Sequence, residues 1–204
     1  MRIGLYGGSF DPVHRGHLQL IQQVLDSGFI DRLVVMPVGN PPHKSRHLID
    51  ARLRLKWLRK ATQPFPADRL EVSDWEIRRT EQTGARSFTY DTLEYLQTRF
   101  PDAELVLIVG SDMLLDLPHW YRSAEIRALA RILWVPRQGI DIDSALLPFQ
   151  PDYRLATAPP EISSTDIRQK IAEQKPLKDW VPDCLIDDLI QYYEQKTGTD
   201  ASSQ

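Results

Sequence analysis

His14 and His17 stand three residues apart in the stretch GGSFDPVHRGH, residues 7–17. Three kinds of chemistry suit that pair: metal ligation, acid–base work or a clamp on phosphate. A metal site needs a third or fourth ligand at suitable spacing. Asp11 is near, but the chain has no HExxH run, and its one cysteine, Cys184, excludes a CxxC pair. Phosphate is served by other groups. Gly7 and Gly8 let the backbone approach a ligand closely and point N–H groups at it. Imidazole N–H donors beside them meet the charge that develops on a phosphoryl group. The plain alternative is a polar turn, fixed by Pro12, followed by a capped helix. Histidines and glycines by themselves leave that alternative open.

A second cluster is ISSTDIR, residues 162–168. Ser163 and Asp166 have the spacing of a capping box, and a cap explains both. It does not explain three consecutive hydroxyls, Ser163, Ser164 and Thr165, followed by Arg168. Hydroxyls and N–H groups at a helix start bind phosphate, and a guanidinium grips two of its oxygens.

Three stretches between these clusters also read two ways. Gly39-Asn40-Pro41-Pro42-His43-Lys44 must be a stiff exposed loop, because its prolines stop any helix. His43 and Lys44, extended by Arg46 and His47, are either a solvated basic surface or positive charge for a leaving group. In Ser87-Phe88-Thr89-Tyr90-Asp91, Thr89 reads as a helix N-cap, and a carboxylate could use the N–H groups beyond it. Gly110-Ser111-Asp112 is followed by Leu117-Pro118-His119-Trp120-Tyr121. Asp112 could accept from hydroxyls or amines. Trp120 is either core or a face on which a pyridine or purine ring stacks.

Elements that would position these groups are legible as apolar bursts alternating with helical patterns. Strands are predicted at Arg2–Tyr6, Arg32–Pro37, Arg69–Val72, Glu104–Val109, Arg131–Val135 and Tyr153–Ala156. Continuous runs such as Leu105-Val106-Leu107-Ile108-Val109 suit a sheet buried on both faces. Leu18, Ile21, Val24 and Leu25 make a helical stripe that starts near Gly16 and ends at a Gly28 cap. Asp50 caps a helix through Leu58. Helices are also predicted over Tyr90–Phe100, Ser163–Gln174 and Pro182–Gln195. The expected class is α/β: a Rossmann-like open parallel sheet with helices on both faces and ligands at the carboxyl ends of its strands. Residues 1–196 read as one domain and residues 197–204 as a polar, frayed tail.

The 204 residues suffice for one full core, and 42% apolar with 26% charged is ordinary globular composition. A formal net charge of −3 supplies no field for nucleic acid, so none is expected as a partner. No apolar run is long enough to cross a bilayer, and the start lacks the basic and apolar regions of a signal peptide. The expected location is the cytoplasm.

GGSFDPVHRGHL resembles the signature of the HxGH nucleotidyltransferase superfamily, and ISSTDIR resembles its second signature. The two lie in the correct order, about 150 residues apart. The resemblance implies transfer of a nucleotidyl group from a nucleoside triphosphate, with pyrophosphate released and with Mg²⁺ carried by ATP. It places Gly7, Gly8, Ser9, Phe10, His14, Gly16, His17, Gly110, Asp112, Ile162, Ser163, Ser164, Thr165 and Arg168 around ATP. It makes His14, His17, Lys44 and Arg168 the groups acting on the triphosphate, none of them a metal ligand.

PPHK after the second strand, SFTYDTL mid-chain, and GSD followed by LPHW together resemble the bacterial nicotinate mononucleotide adenylyltransferase family. That likeness runs from residue 1 to about residue 190. It implies ATP and nicotinate mononucleotide as partners, the latter met by Ser9, Asn40, His43, Lys44, Thr89, Asp112, Trp120 and Tyr121. Backbone near Thr89 and Tyr121 would hold the nicotinate carboxylate, with Trp120 stacked on the pyridine. Ser9 stands where the family more often has threonine, and Phe88 where it has tyrosine. Pantetheine-phosphate adenylyltransferases and glycerol-3-phosphate cytidylyltransferases share the first signature but lack the PPHK and LPxW stretches. A non-catalytic nucleotide-binding regulator would have no need of both histidines and Arg168.

Overall fold

The computed structural model describes residues 1–42, 48–137 and 150–201. Among them, β1 (Arg2–Gly8), β2 (Arg32–Pro37), β3 (Leu70–Val72), β4 (Glu104–Gly110), β5 (Ala130–Val135) and β6 (Tyr153–Arg154) form one parallel sheet. Its order is β3-β2-β1-β4-β5-β6. The chain winds outward on one side of β1, returns to its other flank at β4 and winds outward again. β1 and β4 are therefore the switch point, where a crevice opens beyond their carboxyl ends. Gly8 and Gly110 are the last residues of these two neighbouring strands.

The helices are α1 (Arg15–Asp26), α2 (Ala51–Thr62), α3 (Trp75–Thr83), α4 (Thr89–Arg99), α5 (Ser111–Asp116), α6 (Ser123–Leu129), α7 (Ser164–Ala172) and α8 (Ile186–Ala201). Strand residues alternate between two apolar layers. Leu105, Leu107 and Val109 pack with Leu93 and Leu96 of α4, Leu114 of α5 and Ile126 of α6. Val106 and Ile108 face the opposite layer, with Ile21 of α1, Leu58 of α2, Ile167 of α7 and Leu189 of α8. Burial on both faces is why the strands carry continuous rather than alternating apolar residues. The parallel α/β class expected from the sequence is the one observed.

Several element boundaries differ from expectation. Asp50 caps α2 as expected, accepting from Leu53 N–H at 3.0 Å. After α1 the cap residue is Ser27, with Gly28 following at φ 71°. Thr89 is the first helical residue of α4; the cap position falls on extended Phe88, with no side-chain capping bond. Helix α3 has no counterpart in the sequence reading. Its WEIRRTEQT carries only two large apolar residues, and long-range contacts hold it instead: Trp75 stacks on Tyr95 at 4.5 Å, and Glu76 accepts from Thr92 Oγ at 2.7 Å. Helix α8 runs on to Ala201, past the expected end at Gln195 and into the stretch read as frayed tail. No apolar stripe in residues 196–200 announces that extension.

Candidate active site

The histidine pair builds the start of α1. His14 is its N-cap and His17 is three residues on, and each side chain accepts from the other's backbone. His17 N–H donates to His14 Nδ1 at 3.3 Å, and His14 N–H donates to His17 Nδ1 at 3.2 Å. This is a capping box made of two imidazoles instead of a hydroxyl and a carboxylate. An accepting Nδ1 places the proton of the neutral ring on Nε2, so Nε2–H is the donating side of both rings. The rings stack with centroids 3.5 Å apart. Burial pushes the His14 pKa down to about 3, the positive charge of Arg137 adds to that, and Asp166 opposes it. His14 is thus a neutral N–H donor near pH 7.

Behind the pair lies an aromatic bed. Phe10 meets His17 edge-on at 4.9 Å and Tyr6 at 5.5 Å. Phe10 is 1% exposed as a whole residue, so its ring belongs to the core and is not a free face for a ligand. Gly8 makes room for it: a Cβ there would stand 3.0 Å from the Phe10 ring. Gly16 does the same for the turn, since a Cβ would meet His14 Nδ1 at 3.2 Å and the Pro160 carbonyl at 3.3 Å.

The second signature docks on the first. Ser164 Oγ donates to the Pro12 carbonyl at 2.9 Å. Arg168 donates to the Asp11 carbonyl and, at 2.8 Å, to Thr165 Oγ, with the Asp11 carboxylate 3.7 Å away. Ser163 caps α7, accepting from Asp166 N–H at 3.1 Å, and Ile162 packs at the edge of the core. Residues about 150 positions apart thus meet in direct contact.

At the neighbouring strand end, Asp112 stands in the first turn of α5. Its Oδ2 meets Arg137 at 3.3 Å, and its Oδ1 is buried with no hydrogen-bond partner among the described residues. A buried carboxylate oxygen without a donor carries a desolvation cost that a ligand hydroxyl or amine would relieve. Ser111 holds this corner together, accepting from Trp134 Nε1 at 3.1 Å and from Arg137 N–H at 3.0 Å. Among the described residues no three His, Cys, Asp or Glu side chains gather into a metal-ligand group.

The residues expected to meet the acceptor are linked by contacts of their own. Asn40 is joined to the segment before α4: its N–H donates to Ser87 Oγ at 3.1 Å, and its carbonyl accepts from Ser87 N–H at 2.8 Å. Phe88 then touches Tyr121, with rings 4.6 Å apart. Thr89 and Tyr121 therefore lie on neighbouring chain segments. Trp120 is half-buried against the core, and its Nε1 donates to Asp116 Oδ2 at 3.1 Å. His43 and Lys44 lie outside the described residues. Gly39 rests so closely on α3 that a Cβ would stand 2.5 Å from the Glu76 carbonyl and from Thr80 Oγ. Gly39→Ala is expected to lower stability by about 1–3 kcal/mol, as overpacking against backbone does, in urea denaturation. It should also weaken acceptor binding, because Asn40 moves with Gly39.

Arg137, Tyr6, Glu76 and Arg54 escaped the sequence reading. Arg137 had a usable signal: it is the first charged residue after the apolar run of β5, at the strand end where ligands bind. Burial holds the Tyr6 phenol above its usual range, Asp112 adding and Arg137 opposing. Glu76 is 8% exposed, and burial raises its carboxyl while Thr92, Ser87 and Gly39 hydrogen bonds oppose the rise.

A model of the cytidylyltransferase-like family matches residues 5–170, a span that includes both signatures. The nicotinate-nucleotide adenylyltransferase of Bacillus subtilis (strain 168) is 33% identical over 201 residues, covering 97% of each chain. The probable nicotinate-nucleotide adenylyltransferase of Roseiflexus sp. (strain RS-1) is 36% identical over 191 residues, 90% of this chain and 92% of that one. Among solved structures, Plasmodium falciparum nicotinic acid mononucleotide adenylyltransferase complexed with NaAD superposes with a TM-score of 0.77. It covers 94% of this chain and 95% of its own, and at 21% identity the likeness concerns the fold.

Proposed function

This chain belongs to the nicotinate-nucleotide adenylyltransferases of the cytidylyltransferase-like family, and we propose how its residues divide the work of that reaction. The enzyme transfers AMP from ATP to nicotinate mononucleotide, forming nicotinate adenine dinucleotide and pyrophosphate in NAD biosynthesis. The observation that carries the proposal is the meeting of the two signatures. Ser164 and Arg168 reach the Pro12 and Asp11 carbonyls, beside a histidine pair whose Nδ1 atoms are both engaged.

The acceptor phosphate attacks the α-phosphorus of ATP in line, and pyrophosphate leaves. The acceptor is already ionised near neutral pH, so no general base is needed, and rate comes from positioning and charge stabilisation. His14 and His17 donate from Nε2–H to the phosphoryl oxygens as charge builds there. Arg168 and the N–H groups at the start of α7 hold the outer phosphates. Lys44 is assigned to the leaving group on its sequence motif alone. Gly7, Gly8, Ser9 and the Phe10 backbone cradle the nucleotide, with Gly110 and Ile162 at its edges and Asp112 accepting from a substrate hydroxyl. On the acceptor side, the uncapped N–H groups of α4 around Thr89 and the Tyr121 backbone receive the nicotinate carboxylate. Trp120 stacks on the pyridine, and Asn40, with His43, meets the phosphate or sugar. Mg²⁺ would be held mainly by the phosphates of ATP, whose charge it offsets. Among the described residues no helix is long and apolar enough to cross a membrane, and we assign the enzyme to the cytoplasm.

Pyrophosphate release with ATP and Mg²⁺ tests this, comparing nicotinate mononucleotide, nicotinamide mononucleotide and 4′-phosphopantetheine as acceptors. A rate dominated by nicotinate mononucleotide is expected. Equal rates with the two pyridine nucleotides would remove the carboxylate-reading role of the Thr89–Tyr121 backbone. Silence with all three would overturn the reaction.

A further inference from the structure

Arg54 of α2 is 1% exposed, among the largest fully buried side chains of the protein. Its guanidinium donates to three backbone carbonyls on three different segments. Nη1 reaches Ser9 at 2.6 Å, Nη2 reaches Val38 at 2.7 Å, and Nε reaches Ile49 at 2.9 Å. Ser9 belongs to the phosphate loop, Val38 follows β2 directly, and Ile49 precedes the Asp50 cap of α2. Asp11 completes the arrangement by accepting from Ile49 N–H at 3.0 Å, so the Ile49 residue is gripped by its donor and its acceptor. A buried cation is costly unless its donors are met, and here backbone carbonyls meet them.

Those carbonyls have partners across their own peptide planes. In a trans peptide, C=O and N–H point in opposite directions. The Val38–Gly39 unit illustrates the consequence: its carbonyl accepts from Arg54, and its N–H points away to Ser87 Oγ at 3.2 Å. The Ser9–Phe10 unit is also trans, and its carbonyl is drawn to the same buried guanidinium. Its N–H must therefore face away from Arg54. Phe10 itself has φ 47°, a left-handed conformation unfavourable for a bulky residue unless surrounding structure holds it.

We propose that Arg54 is a positioning residue for adenylyl transfer: by drawing the Ser9 carbonyl into the core it turns the Phe10 N–H toward the phosphate cradle. This rests on the adenylyltransferase reading of the site. Arg54 touches no substrate. It acts through one peptide plane, and through Val38 and Ile49 it ties that plane to both ends of the segment between β2 and α2. Lysine cannot replace it, because a single ammonium lacks the fork that spans three carbonyls.

The test reads the Phe10 amide directly. The protein has six phenylalanines, so a sample labelled with ¹⁵N-phenylalanine yields a short spectrum, in which a Phe10→Leu variant identifies the residue 10 peak. Adding Mg-ATP to the wild type should move that amide proton downfield, as a new hydrogen bond to phosphate does. In Arg54→Lys the shift should be lost while the other five amides overlay on the wild type. Turnover in that variant should fall about 100-fold with the acceptor KM within a few-fold of wild type, the pattern of a misaimed group. Arg54→Met, which leaves three carbonyls unmet, reports on folding alone through its melting temperature. An unresponsive Phe10 amide in the wild type, or an equal response in Arg54→Lys, would overturn the proposal. A wild type that responds to ATP but releases no pyrophosphate would defeat the reaction assigned above and leave the role of Arg54 in aiming the amide intact.

Discussion

His14→Asn is expected to lower turnover about 10²–10³-fold while leaving α1 capped, because removal of one transition-state donor has that effect. Asparagine is among the preferred N-cap residues, and its side-chain oxygen can accept from His17 N–H as His14 Nδ1 does. Fold and catalysis therefore separate in this variant. Near-normal pyrophosphate release would reduce His14 to a helix cap. The same substitution has a pH signature. An unfolded histidine takes its proton near pH 6.5, whereas folded His14 takes it only at about 3. Between those values the unfolded chain binds the extra proton, so His14 makes stability rise with pH. That contribution is lost as pH falls from 6.5 toward 3, with a slope of up to about 1.4 kcal/mol per unit. Urea denaturation between about pH 4 and 7 should show a shallower slope in His14→Asn than in the wild type. Identical slopes would mean that His14 titrates as an exposed histidine does.

Arg168→Ala carries the second large effect, and it acts on two quantities. Turnover should fall about 10²–10³-fold through loss of the phosphate grip. Stability should also fall, by about 1–3 kcal/mol, because the guanidinium bonds the Asp11 carbonyl and lies 3.7 Å from a carboxylate that is 2% exposed. A cation that both binds phosphate and staples the second signature to the first cannot be removed for one effect alone. Arg168→Lys separates the two: it keeps the charge but loses the planar fork, so stability should recover more than turnover does. The measurement is pyrophosphate release per folded molecule, with the folded fraction taken from denaturation. Full turnover in a correctly counted Arg168→Ala population would leave Arg168 a staple only.

How much of this was legible depended on whether the governing interactions were local. Strand positions read well because a strand buried on both faces advertises itself in four or five consecutive apolar residues, as Leu105–Val109 does. Caps such as Asp50 and Ser163 read well because the bonded N–H lies three residues away. Thr89 was misplaced by one residue because α4 starts without a side-chain cap, so the local signal pointed at the nearest hydroxyl. Helix α3 was missed because its stabilising partners, Tyr95, Thr92 and Ser87, come from later in the chain.

By itself the sequence determined the α/β class, the two signatures and the residues within each, since all of these are patterns among near neighbours. It could not set how residues far apart in the chain face one another. Arg54 reads as one more cation on a basic helix, and only packing reveals that it is buried with three carbonyls in its fork. Arg137 reads as a charge after a strand, and only the pairing of β4 with β5 brings it to Asp112 and into the field of His14. Tertiary structure decided those roles because hydrogen bonds and charge interactions act across a few ångströms of space, whatever the separation along the chain.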